Sequence, residues 1–327
     1  QFMLPAMGRA ERVRPETMPP LAVEDTDEAI VVRGHDFSLT LDRLMGRITE
    51  WVHRGRAVVR SGPRLNLWRA PTDNDAEWMA ARWQAAGLDR LCERLRAISA
   101  EQCAPQVVRI DVETADPQVG VTSRYVYTIY GSGDVELAHT VELDKGLPPL
   151  PRAGVSLVLP EGTESFVWYG RGPHENYVDR KEGARVDVYR GTVDDQYVPY
   201  VKPQENGNKT GVRWAALTDE QSAGLLVVGM PHLEVSVHHC TARDLAQAAH
   251  THQLRRRDDI TLNLDLAQSG LGSESCGPGV LPRYRLEARK YHYRLRLMPL
   301  SGSDDSPMKL SERVFSAPSS SINAREG

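Results

Sequence analysis

Phenylalanine is scarce in this chain, with 4 residues in 327 against 11 tyrosines and 6 tryptophans. Most of the aromatic surface therefore carries a polar tip, which needs a hydrogen-bond partner wherever it is buried. The four cysteines, Cys92, Cys103, Cys240 and Cys276, form no CxxC pair and no small-scaffold spacing. They read as free thiols of a cytoplasmic protein, with two disulfides left open. No apolar run approaches the ~18 residues of a membrane helix, and QFMLPAMGRAERVRPE lacks the apolar centre of a signal peptide. The formal charge of -4 gives no reason to expect nucleic acid or an anionic membrane as partner. Walker, HExxH and GxSxG sequences are absent, as are internal repeats. Gly170-Arg171-Gly172 follows a strand but precedes no helix and lacks a third glycine, so it is no dinucleotide fingerprint.

What is present is alternation. Phe37, Leu39 and Leu41 interleave with Ser38, Thr40 and Asp42, and Tyr291, Tyr293, Leu295 and Leu297 with His292, Arg294 and Arg296. Such period-2 patterning marks half-buried strands. More than a dozen short strands of this kind, including GVSLVLP, GLLVVG, LEVSVHH and RYRLEA, predict an all-β protein built as a large antiparallel sandwich. One helical region is expected between Glu77 and Ile98, where Leu88, Leu91, Leu95 and Ile98 recur at helical spacing, divided or ended at Gly87. Asp73, Asn74 and Asp75 are each plausible N-caps for it. A second short helix is expected over Arg243 to Ala249. Residues 1–24 read as the end of a preceding element, with Gln1 to Pro5 as a last strand, followed by a Pro-punctuated linker. Residues 25–299 hold the folded body. The Ser-, Asp- and Pro-rich tail, 300–327, reads as disordered or loosely attached. The opening at Gln1, with the first methionine at Met3, reads as a fragment of a longer chain.

The stretch from Phe166 to Asn208 concentrates Tyr, Trp, Gly, Pro and Asn, with WYGRGPHENY and PQENGN as its two signatures. Aromatic faces beside carboxylates and amides suit a sugar; the plainer reading is a set of tight turns capping a sheet. Within it, His174, Glu175 and Asp179 offer a proton donor and acceptor, or polar atoms that bind turn backbone. His238, His239 and Cys240, with His250 and His252, match no common zinc spacing. The lone His139 on its strand reads as a core or edge residue. Gly270 to Pro278, GLGSESCGP, is a small-residue loop able to approach a ligand closely. Its Cys276 is open to two readings, an exposed contact or a small buried hydrophobe.

In order, RAPTDND, WYGRGPHENYVDR, YVKPQENGN, GLGSESCGP and RKYHYRLR resemble the C-terminal domain of the family 2 β-galactosidases, also called the β-galactosidase small chain. The resemblance covers about residues 25 to 299, and QFMLP resembles the end of the immunoglobulin-like domain that precedes it in that family. It implies a galactose mutarotase-like β-supersandwich with one or two short helices. It also implies hydrolysis of terminal β-D-galactosides with retention by the full-length enzyme.

A retaining mechanism needs two carboxyl groups about 5 Å apart, and the resemblance places both in a preceding TIM barrel, with no catalytic residue and no metal ligand in this chain. Any divalent cation would belong to that barrel, and no cofactor to the residues here. The expected contributions are a substrate-binding loop, Ser275, Cys276 and Gly277, and a rim segment, Asp73, Asn74 and Asp75. Cys276 aligns with a tryptophan platform in the best-studied branch, so an aromatic surface is missing there. Expected partners are the galactoside, the barrel of the same polypeptide and, at full length, further copies of the chain. The rival readings are a freestanding carbohydrate-binding module and a mutarotase-like aldose epimerase using His174 and Glu175.

Overall fold

A computed structural model describes residues 11–316; the strand expected over Gln1 to Pro5 lies outside them. Alternation becomes burial most regularly in two strands. In Phe37–Asp42 and Val135–Leu143 every second side chain is buried, because successive residues of a strand face opposite sides of the sheet.

The chain opens with β1 (Arg12–Val13), β2 (Ala22–Asp25) and β3 (Ala29–Arg33), followed by β4 (Phe37–Asp42), β5 (Arg47–His53), β6 (Arg56–Val59) and β7 (Ser61–Asn66). Helices α1 (Asp73–Trp78) and α2 (Ala80–Ala85) lead to β8 (Arg94–Ala104), β9 (Val107–Asp116), β10 (Val121–Tyr130) and β11 (Val135–Leu143). Next come β12 (Arg152–Leu159), β13 (Ser165–Gly172), β14 (Arg185–Thr192), β15 (Lys209–Thr218) and β16 (Gly224–His238). After α3 (Ala242–Gln247) follow β17 (Ile260–Gln268), β18 (Tyr291–Leu300), α4 (Pro307–Ser311) and β19 (Val314–Phe315).

All the ladders are antiparallel except β1 with β19. One run is β8-β9-β10-β11-β18-β16-β15-β13-β14, and another is β16-β17-β12-β7-β5-β4-β3-β2. Strand β16 belongs to both. Its residues 224–230 pair with β18 and its residues 234–238 with β17. The change of partner falls at Pro231, which has no N–H to give a ladder. Two strands were expected here, GLLVVG and LEVSVHH; they are one continuous strand. Trp51, Ile110, Leu137, Leu157, Leu217, Val235 and Leu264, drawn from both runs, lie in one apolar core.

Three expectations need correction. The helical region ends near Ala85, where Gly87 takes a left-handed φ of +79°, and Leu95 and Ile98 lie in strand β8. A bulge between Leu95 and Ala97 lets two residues three apart face the same core, so a strand imitates helical spacing. RYRLEA forms no strand; Leu286 makes a single bridge to Leu150. Residues 301–316 are folded. Arg296 donates to the carbonyls of Leu310 and Arg313 at 2.8 and 2.6 Å, and Phe315 stacks on Tyr130 at 4.4 Å. These contacts hold β19 against β1 within the supposed N-terminal linker.

Candidate functional site

Three segments far apart in sequence meet at one edge of the sandwich: residues 69–78, 173–208 and 269–280. Beneath them Arg69, fully buried, donates to both carboxylate oxygens of Asp75 at 2.7 and 3.0 Å and to the carbonyls of Ser269 and Gly270. Thr72 is the N-cap of α1, and Asp75 at its third position closes a capping box. None of Asp73, Asn74 and Asp75 is therefore the N-cap.

The rim and the loop expected to touch substrate do meet. The Asn74 amide donates to the carbonyls of Leu271 and Gly272 at 3.1 and 2.8 Å, and its oxygen accepts from the amide and hydroxyl of Ser275. From the other side, Asp179 accepts from the Gly272 amide at 2.8 Å. A side chain at Gly270 would collide with that carboxylate, 2.6 Å from an added Cβ, and Gly272 sits at a φ of +62°. Two glycines thus let the loop lie flat on its clamp. Ser275, Cys276 and Gly277 are exposed at its tip. Asp73 is exposed and bonds Gln204, whereas Asp75 has no exposed surface. Asp75 is a brace under the rim, unable to reach a ligand.

The PQENGN signature is turned inward. Gln204 to Asn208 are all buried, and the polar groups bind one another. Asn208 donates to the Asn176 carbonyl and to Glu234, and Gln268 donates to Asn208 and Asp265. Arg152 donates to Asp265 at 2.7 Å and lies 3.5 Å from Glu205. Burial raises the pKa of Glu205 and Asp265 and pushes Glu234 up to about 8.

Glu175 is likewise occupied. It accepts from the Gly207 amide at 2.8 Å, from Arg180 at 3.1 Å and from the Tyr200 hydroxyl. No hydrogen bond joins it to His174 among the described residues. His238 bonds the Asn206 carbonyl, and burial holds its pKa down to about 4; His239 bonds Glu164. Cys240 is buried, its thiol pushed up to about 12, and His250 stacks on His252 at the surface. Among the described residues no three His, Cys, Asp or Glu side chains gather as a metal site. His139 is a core residue, bonded to the Tyr293 hydroxyl at 3.0 Å.

Sequence reasoning missed two participants. Trp78, at the end of α1, packs beside Gly279 of the loop, with the Arg285 guanidinium over its ring at 5.3 Å. Arg69 carries no local signal, since its partners lie both six and about 200 residues away. RAPTDND was quoted as a motif, but only the fold shows that its Arg is what holds the loop.

A family model described as beta galactosidase small chain matches residues 33–297. The chain belongs to that family. A beta-galactosidase from Priestia megaterium is 33% identical over 308 residues, 92% of this chain and 29% of that protein. A beta-galactosidase from Vibrio cholerae is 36% identical over 272 residues, 78% of this chain and 26% of its own. This member of the beta galactosidase small chain family thus spans less than a third of the curated relatives it matches. Among solved structures, a galactose 1-epimerase from Lactobacillus acidophilus aligns at 10% identity with a TM-score of 0.49, covering 86% of this chain and 98% of that one. At those values the likeness carries no functional weight. Among the described residues no helix is long and apolar enough to cross a membrane.

The buried carboxylates around Arg152 have no access to solvent, and Glu175 has both oxygens engaged. Exposed along the rim and loop are the Asp73 and Glu77 carboxylates, the Ser273 and Ser275 side chains and Cys276.

Proposed function

We propose that this chain is the C-terminal sandwich of a β-galactosidase that hydrolyses terminal β-D-galactosides with retention. The nucleophile and acid/base carboxylates belong to a barrel elsewhere in the same polypeptide, against which the sandwich packs. The chain's part is to line the sugar site with Ser275, Cys276 and Gly277, on a loop whose position is set by the rim residues Asp73 to Asp75. The observation that carries this reading is the Asn74 clamp. It joins the two segments named for the site through four hydrogen bonds, a rigidity suited to positioning a bound sugar. Retention needs two carboxyl groups about 5 Å apart on either side of the glycosidic bond, and this reading assigns both to the barrel.

The test is proton NMR of the full-length enzyme acting on a β-galactoside. β-Galactose as first product is expected, with α-galactose growing in only by mutarotation. The chain alone should hydrolyse nitrophenyl β-galactoside no faster than buffer, because nothing here protonates the leaving oxygen. Turnover by the purified chain that disappears on Glu175→Gln would overturn the assignment.

A further inference from the structure

Away from that rim lies a cavity of about 990 Å³, floored by β7, β12 and β17 and walled by residues 88–95. Its floor is built from strand register. Arg64 pairs with Ser156, Ser156 with Asn263, and Asn263 with Ser236. Alternate positions on the same strands, Leu65, Val155, Leu157 and Leu264, are buried apolar residues. One sheet thus presents a polar ladder to the cavity and an apolar face to the core. Asn66 donates to Asn263 at 3.0 Å, and Asn263 to Ser236 at 3.1 Å.

The charges in this cavity do not balance. Seven arginines line it against two carboxylates, Asp89 and Glu93. Asp89 is paired with Arg90, and Glu93 accepts from the Leu65 amide, Thr114 and Tyr125. Arg43 and Arg257 have Asp25 and Asp244. Arg64 has no hydrogen bond or ion pair among the described residues. Arg47 Nε is buried without a partner, and its Nη2 meets only the Met45 sulfur at 2.9 Å, a weak acceptor. Arg64 is exposed at the cavity mouth; partial desolvation and the neighbouring Arg47 lower its pKa, against an upward pull from Glu93. Two guanidiniums that repel each other at the mouth of a concave site, one exposed and one half-buried, are the arrangement that captures an oxyanion.

We propose that this cavity binds a small hydroxylated ligand carrying a phosphate or carboxylate. Arg47 and Arg64 hold the oxyanion, and Asn66 and Asn263 meet the hydroxyls. The cavity is separate from the Asn74 rim, so the inference stands whether or not the galactosidase reading does.

The experiment is calorimetric titration of this chain with inorganic phosphate and with galactose 6-phosphate at low salt. Both should bind saturably, the sugar phosphate about tenfold tighter through its extra hydrogen bonds. Arg64→Gln and Arg47→Gln should each weaken both ligands by about tenfold or more, while Asn66→Ala should weaken only the sugar phosphate. Arg33→Gln, at an exposed pair outside the cavity, should change neither. Thermal unfolding of each variant, with and without ligand, separates lost binding from lost fold: the wild type and Arg33→Gln should gain Tm equally, and Arg64→Gln and Arg47→Gln should unfold as the wild type does without ligand but gain less with it. No saturable binding, or equal binding by Arg64→Gln, overturns the proposal; equal affinity for the two ligands overturns the part assigned to Asn66 and Asn263.

Discussion

The Ser275 amide and hydroxyl both donate to Asn74 Oδ1, at 3.0 and 2.7 Å, across 201 residues of chain. The other end of the same amide holds the carbonyls of Leu271 and Gly272. One side chain thus fixes both arms of the loop. Asn74→Ala should cost about 1–3 kcal/mol in chemical denaturation and open the 270–280 loop to limited proteolysis. In the full-length enzyme it should raise KM while kcat stays within about tenfold. Unchanged proteolysis together with unchanged KM would remove the clamp from the account.

Asp73 and Asp75, two residues apart, should behave oppositely. Asp75→Ala leaves Arg69 charged and buried without its carboxylate, a change that typically costs about 3–5 kcal/mol. Asp73 is exposed and bonds Gln204 at 3.2 Å, so Asp73→Ala should stay within roughly 1 kcal/mol. Urea melts of the two variants decide this, and equal losses would contradict it.

Glu234 makes stability pH-dependent. Burial lifts its carboxyl to about 8 in the folded protein, against an ordinary value near 4.3 when unfolded. Between those values the folded state keeps a proton that the unfolded chain releases. The contribution is therefore whole at about pH 4 and is lost as the pH rises towards 8. Glu234→Gln keeps an oxygen to accept from Asn208 and has no proton to lose. The variant should lose less stability than the wild type between pH 5 and 8, by up to a few kcal/mol at ~1.4 kcal/mol per unit. Parallel stability profiles would show that Glu234 does not titrate in that window.

The four free thiols fall into two classes. Cys92, Cys103 and Cys276 are exposed, and Cys240 is buried with its thiol pushed up to about 12. An aromatic disulfide reagent at pH 8 should label the first three in the native chain and Cys240 only after unfolding, since the thiolate is the reactive form. In the full-length enzyme Cys276→Ala should raise KM or alter aglycone preference with kcat held within about tenfold. Cys276→Trp should tighten aromatic aglycones by roughly 1 kcal/mol. Unchanged kcat/KM across several aglycones would place Cys276 away from the sugar.

Strand content was legible from the residues alone, because period-2 burial follows from the pleat and needs no tertiary knowledge: Phe37 to Asp42 and Tyr291 to Leu295 declare their faces. The order of the motifs was enough to point to the family. Where reading failed, a local rule was overridden by a distant contact. Leu95 and Ile98 share a face because a bulge against β9 absorbs a residue. The polar segment after Pro307 folds because Arg296, on a core strand, supplies donors to its carbonyls.

The site divides in the same way. Sequence marked Asp73 to Asp75 and Ser275 to Gly277 as candidates and left their relation open. It offered no means of ranking Asp73 above Asp75, since two carboxylates in one turn look alike until one of them is paired with a buried arginine. The inward turn of PQENGN and the unpaired Arg47 and Arg64 are tertiary facts of the same kind. Alternation is a property of the backbone and can be read along the chain. Burial and pairing of charge depend on which strands become neighbours, and here those neighbours lie up to about 300 residues apart, as β1 and β19 do.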